Sequence, residues 1–487
     1  MRTSNSVRYQ VWDDDQCAQV VNAAYRVLER TGCKVQNERA LELLKNAGCL
    51  VNGEHVRIPH ALMEWAVDAA PSAFTIYDRL GAPAMNLEPH STYFGTTIGD
   101  TYVLDGETGE RRLGTKADAV ASALVCDAMP NVDWAASITM VGDGMDVLAE
   151  VYEVQCVLPN TTKPIMYWSH SMENLAYQIE MLEVIAGGAD ELRAKPFAMN
   201  LNTPVDPLMH NEVGLNVLMH LAKKRLPATY VAGIGFGVAG PATPAGGIIV
   251  GLADTLAGLL VGQLTQEGAP FIAAVFKDNV DFGTLMISHS GPEFTMANAA
   301  TADVFRFLGL PFTSNGGDSD TGRVDQVFVL DHMAQAYTAA LAGANLNFGG
   351  AGCESANSSA VNGIVVYNDI VGFVKRLVAG VEISEYTLAE DEIHRVGPGG
   401  NFVAEDRTLK HCRENWTPLA LVPRTYEEWI ASGRQDVADI ANEAVREIVT
   451  EGPRKPLSDD VVSAIDAIVM RAEEEMGAVA APILPGH

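Results

Sequence analysis

From about residue 115 onward the chain repeats one pattern seven or eight times: a short apolar run, then a helical stretch. The runs are Trp134–Met140, Pro164–Ser169, Pro196–Leu201, Ala228–Gly235, Pro270–Phe276, Pro311–Ser314 and Ala344–Phe348, with an eighth expected near Val381–Tyr386. Helical stretches fall near 115–128, 147–157, 172–187, 211–224, 246–267, 292–308, 325–343 and 362–379. Strand then helix, repeated this often, is the signature of a (β/α)8 TIM barrel; a doubly wound open sheet is the competing arrangement. Pro164, Pro196, Pro270 and Pro311 open their runs, where a residue without an N–H costs a sheet least.

The flanks read differently. Residues 1–112 form an N-terminal layer of helices and hairpins, 113–390 the barrel, and 391–487 a C-terminal helical extension. In the first layer Asp14 or Asp15 caps a helix whose Cys17, Val20, Val21, Ala24, Val27 and Leu28 share a face, ending before Gly32. A second helix covers 37–47. Asn52-Gly53 then supplies the turn of a hairpin over Leu50–Val56, and Tyr93–Leu104 reads as a further strand pair. In the extension 426–432, 437–451 and 458–475 are amphipathic, and the last six residues form a tail.

Composition narrows the partners. A net charge of −29 repels nucleic-acid backbones and anionic membrane surfaces, and 48% apolar residues exclude a disordered chain. Met1–Asn5 does not lead into an apolar signal core, and the apolar stretch Gly247–Val261, broken by Asp254 and Thr255, reads as a buried helix. The seven cysteines are odd in number and lack Cys-x-x-Cys spacing. A cytoplasmic protein with no structural metal is expected, and a homo-oligomer is the default for a large barrel.

A barrel places its site at the C-terminal ends of its strands. Those ends read Trp168-Ser169-His170, Asn200 to Pro204, Gly233 to Gly237, Phe276-Lys277-Asp278, Asn315 to Asp320 and Phe348 to Glu354. They are rich in glycines, aromatics and carboxylates. Histidines never fall in metal-ligand spacing, Gly-x-Ser-x-Gly and Gly-x-x-x-x-Gly-Lys are absent, and Cys353 has no evident base. Spacing alone thus gives an open, glycine-lined, aromatic and acidic mouth, and His170 with a carboxylate would suit a lyase or hydrolase.

Longer motifs are more specific. Gly240-Pro241-Ala242-Thr243-Pro244-Ala245-Gly246-Gly247, Leu252-Ala253-Asp254-Thr255-Leu256-Ala257-Gly258 and Gly268-Ala269-Pro270 resemble the trimethylamine methyltransferase family. So do Ser319-Asp320 with Asp325-Gln326, Leu341-Ala342-Gly343-Ala344-Asn345, Val396-Gly397-Pro398-Gly399-Gly400, Thr408-Leu409-Lys410-His411 and Trp416-Thr417-Pro418. The chain departs from the pattern at Tyr367 and Arg407. The resemblance implies a (β/α)8 barrel that moves a methyl group from a methylated amine to the cobalt of a corrinoid carried on a separate protein. Founding members hold pyrrolysine. This chain has Gly352-Cys353-Glu354-Ser355 in the corresponding loop and only standard residues, like relatives acting on glycine betaine, proline betaine, carnitine or γ-butyrobetaine.

On that reading the cage for a quaternary ammonium draws on Tyr93, Tyr102, Trp168, Phe236, Phe276 and Phe348, because aromatic faces attract such cations. Asn200, Asn202 and Asn315 would orient substrate, and Lys277, His170 or Arg323 would meet a betaine carboxylate. His170, Asp320 and Glu354 are the candidates for a catalytic role, with Asp320 ranked above Asp318. Gly235, Gly237, Gly316, Gly317, Gly349 and Gly350 would face the corrinoid. A non-catalytic betaine-binding protein is the remaining alternative.

Overall fold

Seven parallel strands form one sheet in the computed structural model, which describes residues 7–480. They are β1 (Tyr93–Thr96), β2 (Ile165–Trp168), β3 (Ala198–Leu201), β4 (Ala228–Gly235), β5 (Phe271–Asp281), β6 (Phe312–Asn315) and β7 (Leu346–Gly350). The pairing order is β1–β7–β6–β5–β4–β3–β2. The ring closes through the segment after β1: Trp134 bridges Gly95 and Ala135 bridges Ile165, both in parallel. Eight staves therefore surround one axis, as the alternation predicts. The expected tail, like Met1–Asn5, lies outside the described residues.

One stave is not where the alternation put it. Val381–Tyr386 is no strand; it leads into the short helix Glu385–Leu388, and its Val381 and Ile383 are 89% and 80% exposed. The missing member is β1, which was read as part of the N-terminal layer. Leu346 of β7 pairs with Tyr93 and Asn347 with Phe94, so the ring is closed by a strand that precedes the repeat. Gly95 permits this: a Cβ there would meet the Trp134 indole at 2.0 Å.

Strand alternation divides the barrel into an inner and an outer set. Trp134, Met166, Met199, Ile272, Leu346 and Phe348 share one inner cluster. Ile165, Tyr167, Ala198, Tyr230, Ile234, Phe271 and Val275 point the other way and pack with the surrounding helices. The apolar stretch predicted to be buried is the helix Pro244–Thr265; it is long and apolar enough to cross a membrane, yet it is largely buried against β4 and β5. Glycines make the fit. A Cβ on Gly258 would meet Tyr230 at 2.2 Å, and one on Gly251 would meet Val275 at 2.4 Å.

The antiparallel pair Phe74–Tyr77 and Pro83–Leu87 plugs the barrel's lower end. Its Ile76, Met85 and Leu87 join the inner cluster, and Tyr77 N–H donates to the Pro196 carbonyl just before β3. Above the N-terminal helix Asp14–Arg26 the cap is Asp13, in a reciprocal pair with Gln16. The Asn52-Gly53 hairpin forms as expected, and the strand Cys33–Val35 extends it. In the extension, Val437–Glu451 packs on Val361–Val378 and Lys116–Ala128, while Asp459–Ala480 packs on Met172–Ala186 and Ala149–Val157. The plugged lower end and sheathed flanks leave the upper mouth as the open approach to the inner set.

Candidate functional site

At the upper end of the barrel the inner set becomes aromatic. Trp168 closes β2, Phe276 lies in β5 and Phe348 in β7, and all three have the parity of the inner cluster. The Phe276 and Phe348 rings lie 5.5 Å apart, and Trp134 lies 6.1 Å from Phe348. Trp168 is held by its indole N–H, which donates to Glu153 Oε2 at 2.8 Å, and Gly99 packs against its ring. Ile98 and Leu201 complete this tier. Phe276 and Trp168 remain partly exposed, and Gly233, paired with Phe276, is exposed on the inner row. Asn315 pairs with Phe348 and is buried; its Oδ1 receives no hydrogen bond among the described residues. An orphaned acceptor beside an aromatic pair is a place for a ligand's donor or a bound water.

An acidic tier lies above. His289 Nε2 is 3.1 Å from Asp278 Oδ1, and its Nδ1 is 3.0 Å from Asp318 Oδ2. Burial alone would push this imidazole down, but Asp318 and Asp278 outweigh burial and take it up to about 10, so both ring nitrogens donate. Asp100, after β1, is buried and burial pushes its carboxyl well up, with Asp318 adding to it. Asp206 reaches over the mouth from the loop after β3 and accepts the Gly233 N–H at 2.7 Å. Sequence reasoning did not single out Trp134, Asp206 or His289. Trp134 was legible as the first residue of a run; His289 and Asp206 sit in loops that carry no period.

Several predicted residues are turned away from this mouth. Asn200, Asn202 and Phe236 have the opposite parity to Leu201 and Gly235. Asn200 is directed at Ser169, Asn202 donates to the Gly214 carbonyl at 2.7 Å, and Phe236 packs on Gly247 of the flanking helix. Lys277 also points outward: it is buried, its ammonium donates to the Val275 carbonyl, and desolvation lowers it to about 7. It cannot anchor a ligand over Phe276. Tyr93 lies at the lower end, its hydroxyl accepting the Asn86 N–H at 3.0 Å. Tyr102 sits in a small sheet outside the ring, under the Arg111 guanidinium at 4.6 Å.

Glu354 is engaged by Arg111 and Ser358, and Arg323 is an exposed partner of Asp325. His170 is 69% exposed at the rim, its Nδ1 2.6 Å from Glu150 Oε1. Asp320 is a loop clasp: it accepts from Ser288, Ser355 and the N–H groups of His289 and Ser290, which hold its carboxyl below the usual range against burial. The glycines divide as well. A Cβ on Gly316 would strike Asn347, on Gly317 His332, on Gly349 the Gly317 carbonyl, on Gly350 Tyr367 and on Gly237 Phe282. They permit close packing of strand ends and loops. Gly233, where a Cβ would meet nothing closer than 3.7 Å, is the glycine that leaves the inner row bare, whereas a Cβ on Gly235 would crowd Val280 at 3.3 Å.

This barrel matches the trimethylamine methyltransferase family over residues 2–477. The chain belongs to that family. It is 27% identical over 470 residues to the trimethylamine methyltransferase MttB of Desulfitobacterium hafniense strain DSM 10664 / DCB-2, covering 96% of this chain and 94% of that one. A similar protein, the MttB of Methanosarcina barkeri, is 27% identical with 96% of both chains covered. A glycine betaine methyltransferase of Desulfitobacterium hafniense strain Y51 is 25% identical, covering 96% of this chain and 98% of its own length. In fold the chain resembles the monomethylamine methyltransferase MtmB of Methanosarcina barkeri, with a TM-score of 0.54 at 13% identity over 97% of this chain and 90% of that one. The protein is therefore a methyltransferase-family (β/α)8 barrel.

Proposed function

We propose that the protein transfers a methyl group from a quaternary amine of the betaine type to the Co(I) of a corrinoid borne by a separate protein. The observation that carries this reading is the upper tier of Trp168, Phe276 and Phe348, facing inward beneath an acidic mouth. Aromatic faces attract a tetraalkylammonium with about 0.5–2 kcal/mol each, and they exclude water from it. Asp206, Asp278 and the chain's net charge of −29 favour the approach of a cation.

A quaternary nitrogen suits a site built this way. It leaves as a neutral amine, so departure needs no prior activation of nitrogen. Positive charge fades from nitrogen as the C–N bond breaks, and a carboxylate in direct contact would hold the ground state more tightly than the transition state. Polarisable rings hold the cation more loosely, and the side-chain N–H of Asn315, buried beside Phe348, can donate to a betaine carboxylate and so orient the substrate. The acceptor is a co-substrate and supplies the nucleophile. The bare edge at Gly233 leaves room for it to approach on the β4–β5 side.

The test is absorbance of free cob(I)alamin mixed with the protein and glycine betaine, proline betaine, carnitine, γ-butyrobetaine or trimethylamine in turn. Methylcobalamin formed with one quaternary amine and none with trimethylamine is the expected result. Silence across the panel, with candidate corrinoid proteins also supplied, refutes the proposal.

A further inference from the structure

Strand β5 runs on past the ring and folds back into a hairpin, in which Asp281 pairs with Met286 and Asn279 with Ser288. One step nearer the ring Asp278 and His289 meet, and His289 Nε2 donates to Asp278 Oδ1 at 3.1 Å. Asp278 is the next inner-row residue above Phe276, and its neighbour on β4 is Gly235, which has no side chain to cover it. Its side chain is 19% exposed, whereas those of His289 and Asp318 behind it are 5% and 3% exposed. Lys277, beside it in sequence, is turned away to the Val275 carbonyl, so the countercharge in contact with Asp278 is the imidazole.

That imidazole is restrained from every side. Its Nδ1 donates to Asp318 Oδ2 at 3.0 Å, and its ring stacks on Phe294 with centroids 4.5 Å apart. Asp320 accepts the His289 N–H at 2.7 Å and the Ser288 hydroxyl at 2.6 Å, and the Ser290 hydroxyl donates to Asp331 at 2.6 Å. Gln335 Nε2 donates to the carbonyls of both His289 and Asp318, at 3.1 and 2.8 Å. Two opposed N–H groups on one flat ring let a single cation bridge both carboxylates while lying against Phe294. With Asp278 and Asp318 on either side, the ring keeps its proton throughout the neutral range. Asp100, the third carboxyl near this cluster, is pushed well up by burial and stays neutral.

Resting on the methyl-transfer reading above, we infer that His289 is a positioning residue that sets how strongly the mouth holds the substrate's ammonium. Asp278 stands over the rings, where a bare carboxylate in a water-poor site would clamp a quaternary nitrogen. The imidazolium ties that carboxylate to the wall and cancels part of its field. Enough attraction is left to draw the cation in over Phe276 and Phe348. Positive charge fades from nitrogen as the methyl group leaves, so any excess hold on the ammonium is lost in the transition state and adds to the barrier. Removing the imidazolium should therefore deepen the bound ground state without helping the transfer. His289 acts through Asp278 and does not meet the substrate; the buried Asp318 keeps it charged.

Calorimetric titration of the full chain with tetramethylammonium tests this without turnover, since that ion has the charge and the methyl groups but no carboxylate. Neutral tert-butanol is the control. H289N should bind tetramethylammonium about 10-fold more tightly than wild type and bind tert-butanol equally. D278N should bind the cation about 5-fold more weakly, and it decides the question if H289N does not fold. In the cob(I)alamin assay H289N should lower KM and kcat together for the active quaternary amine; a residue that only supported the fold would lower kcat without tightening KM. Tetramethylammonium bound no more tightly by folded H289N, or bound equally by D278N and wild type, overturns the role of His289. Wild-type protein that demethylates no quaternary amine overturns the methyl-transfer reading, while the opposite shifts of H289N and D278N still decide whether the imidazolium governs cation binding.

Discussion

Replacing Phe276 with leucine tests the aromatic tier at a partly exposed member. Phe276 points inward from β5, 5.5 Å from Phe348, and is only partly buried. Leucine keeps an apolar side chain but removes the ring's negative face. One cation–π contact is worth about 0.5–2 kcal/mol, so glycine betaine, or whichever quaternary amine proves active, should bind F276L about 2- to 30-fold more weakly. Loss of packing is kept small because the position is half-open, and thermal stability should change by roughly 1 kcal/mol or less. Calorimetric titration with the betaine and with its neutral tert-butyl isostere separates charge from shape. The isostere should bind wild type more weakly than the betaine, and F276L should narrow that difference. Equal weakening of both ligands, or no change in either, would refute the idea that the ring recognises charge.

Two further predictions concern the frame around the site. Gly349 has φ +106, and a Cβ there would stand 1.6 Å from the Gly317 carbonyl oxygen; Gly349→Ala should therefore cost about 3 kcal/mol or more, seen as a lower urea midpoint or loss of soluble protein. His289 is raised to about 10 between Asp318 and Asp278. A folded-state value above the unfolded one adds stability that is complete below the ordinary histidine range and is lost as pH climbs through about 10. Urea unfolding should show stability falling between neutral pH and pH 10, and His289→Asn should flatten that slope.

The alternation of apolar runs and helices was enough to fix the barrel, because a parallel strand needs a crossover and each crossover helix needs the sheet's outer face. It could not place β1, since a single strand ahead of the repeat has no crossover to mark it. The site was legible at the level of segments. Every inner residue of the aromatic tier except Trp134, Ile98 and Leu201 was named from a strand end, and Trp134 and Leu201 lay within runs that had been identified.

What sequence could not decide was which of two neighbours faces in. A shift of one residue exchanges the faces of a strand, so Leu201 rather than Asn200 or Asn202, Gly235 rather than Phe236, and Phe276 rather than Lys277 took the inner row. Periodicity is weak evidence there, because strands buried on both sides are apolar throughout. The glycines show the same limit: composition revealed their abundance, and only packing distinguished the bare edge at Gly233 from Gly349 wedged against Gly317. Leu208 and Asp254 are 46 residues apart in the chain. Their contact, the Leu208 N–H donating to Asp254 Oδ2 at 2.9 Å, exists because the helix after β4 packs beside the loop beyond β3, a juxtaposition set by the closed ring and not by any local pattern.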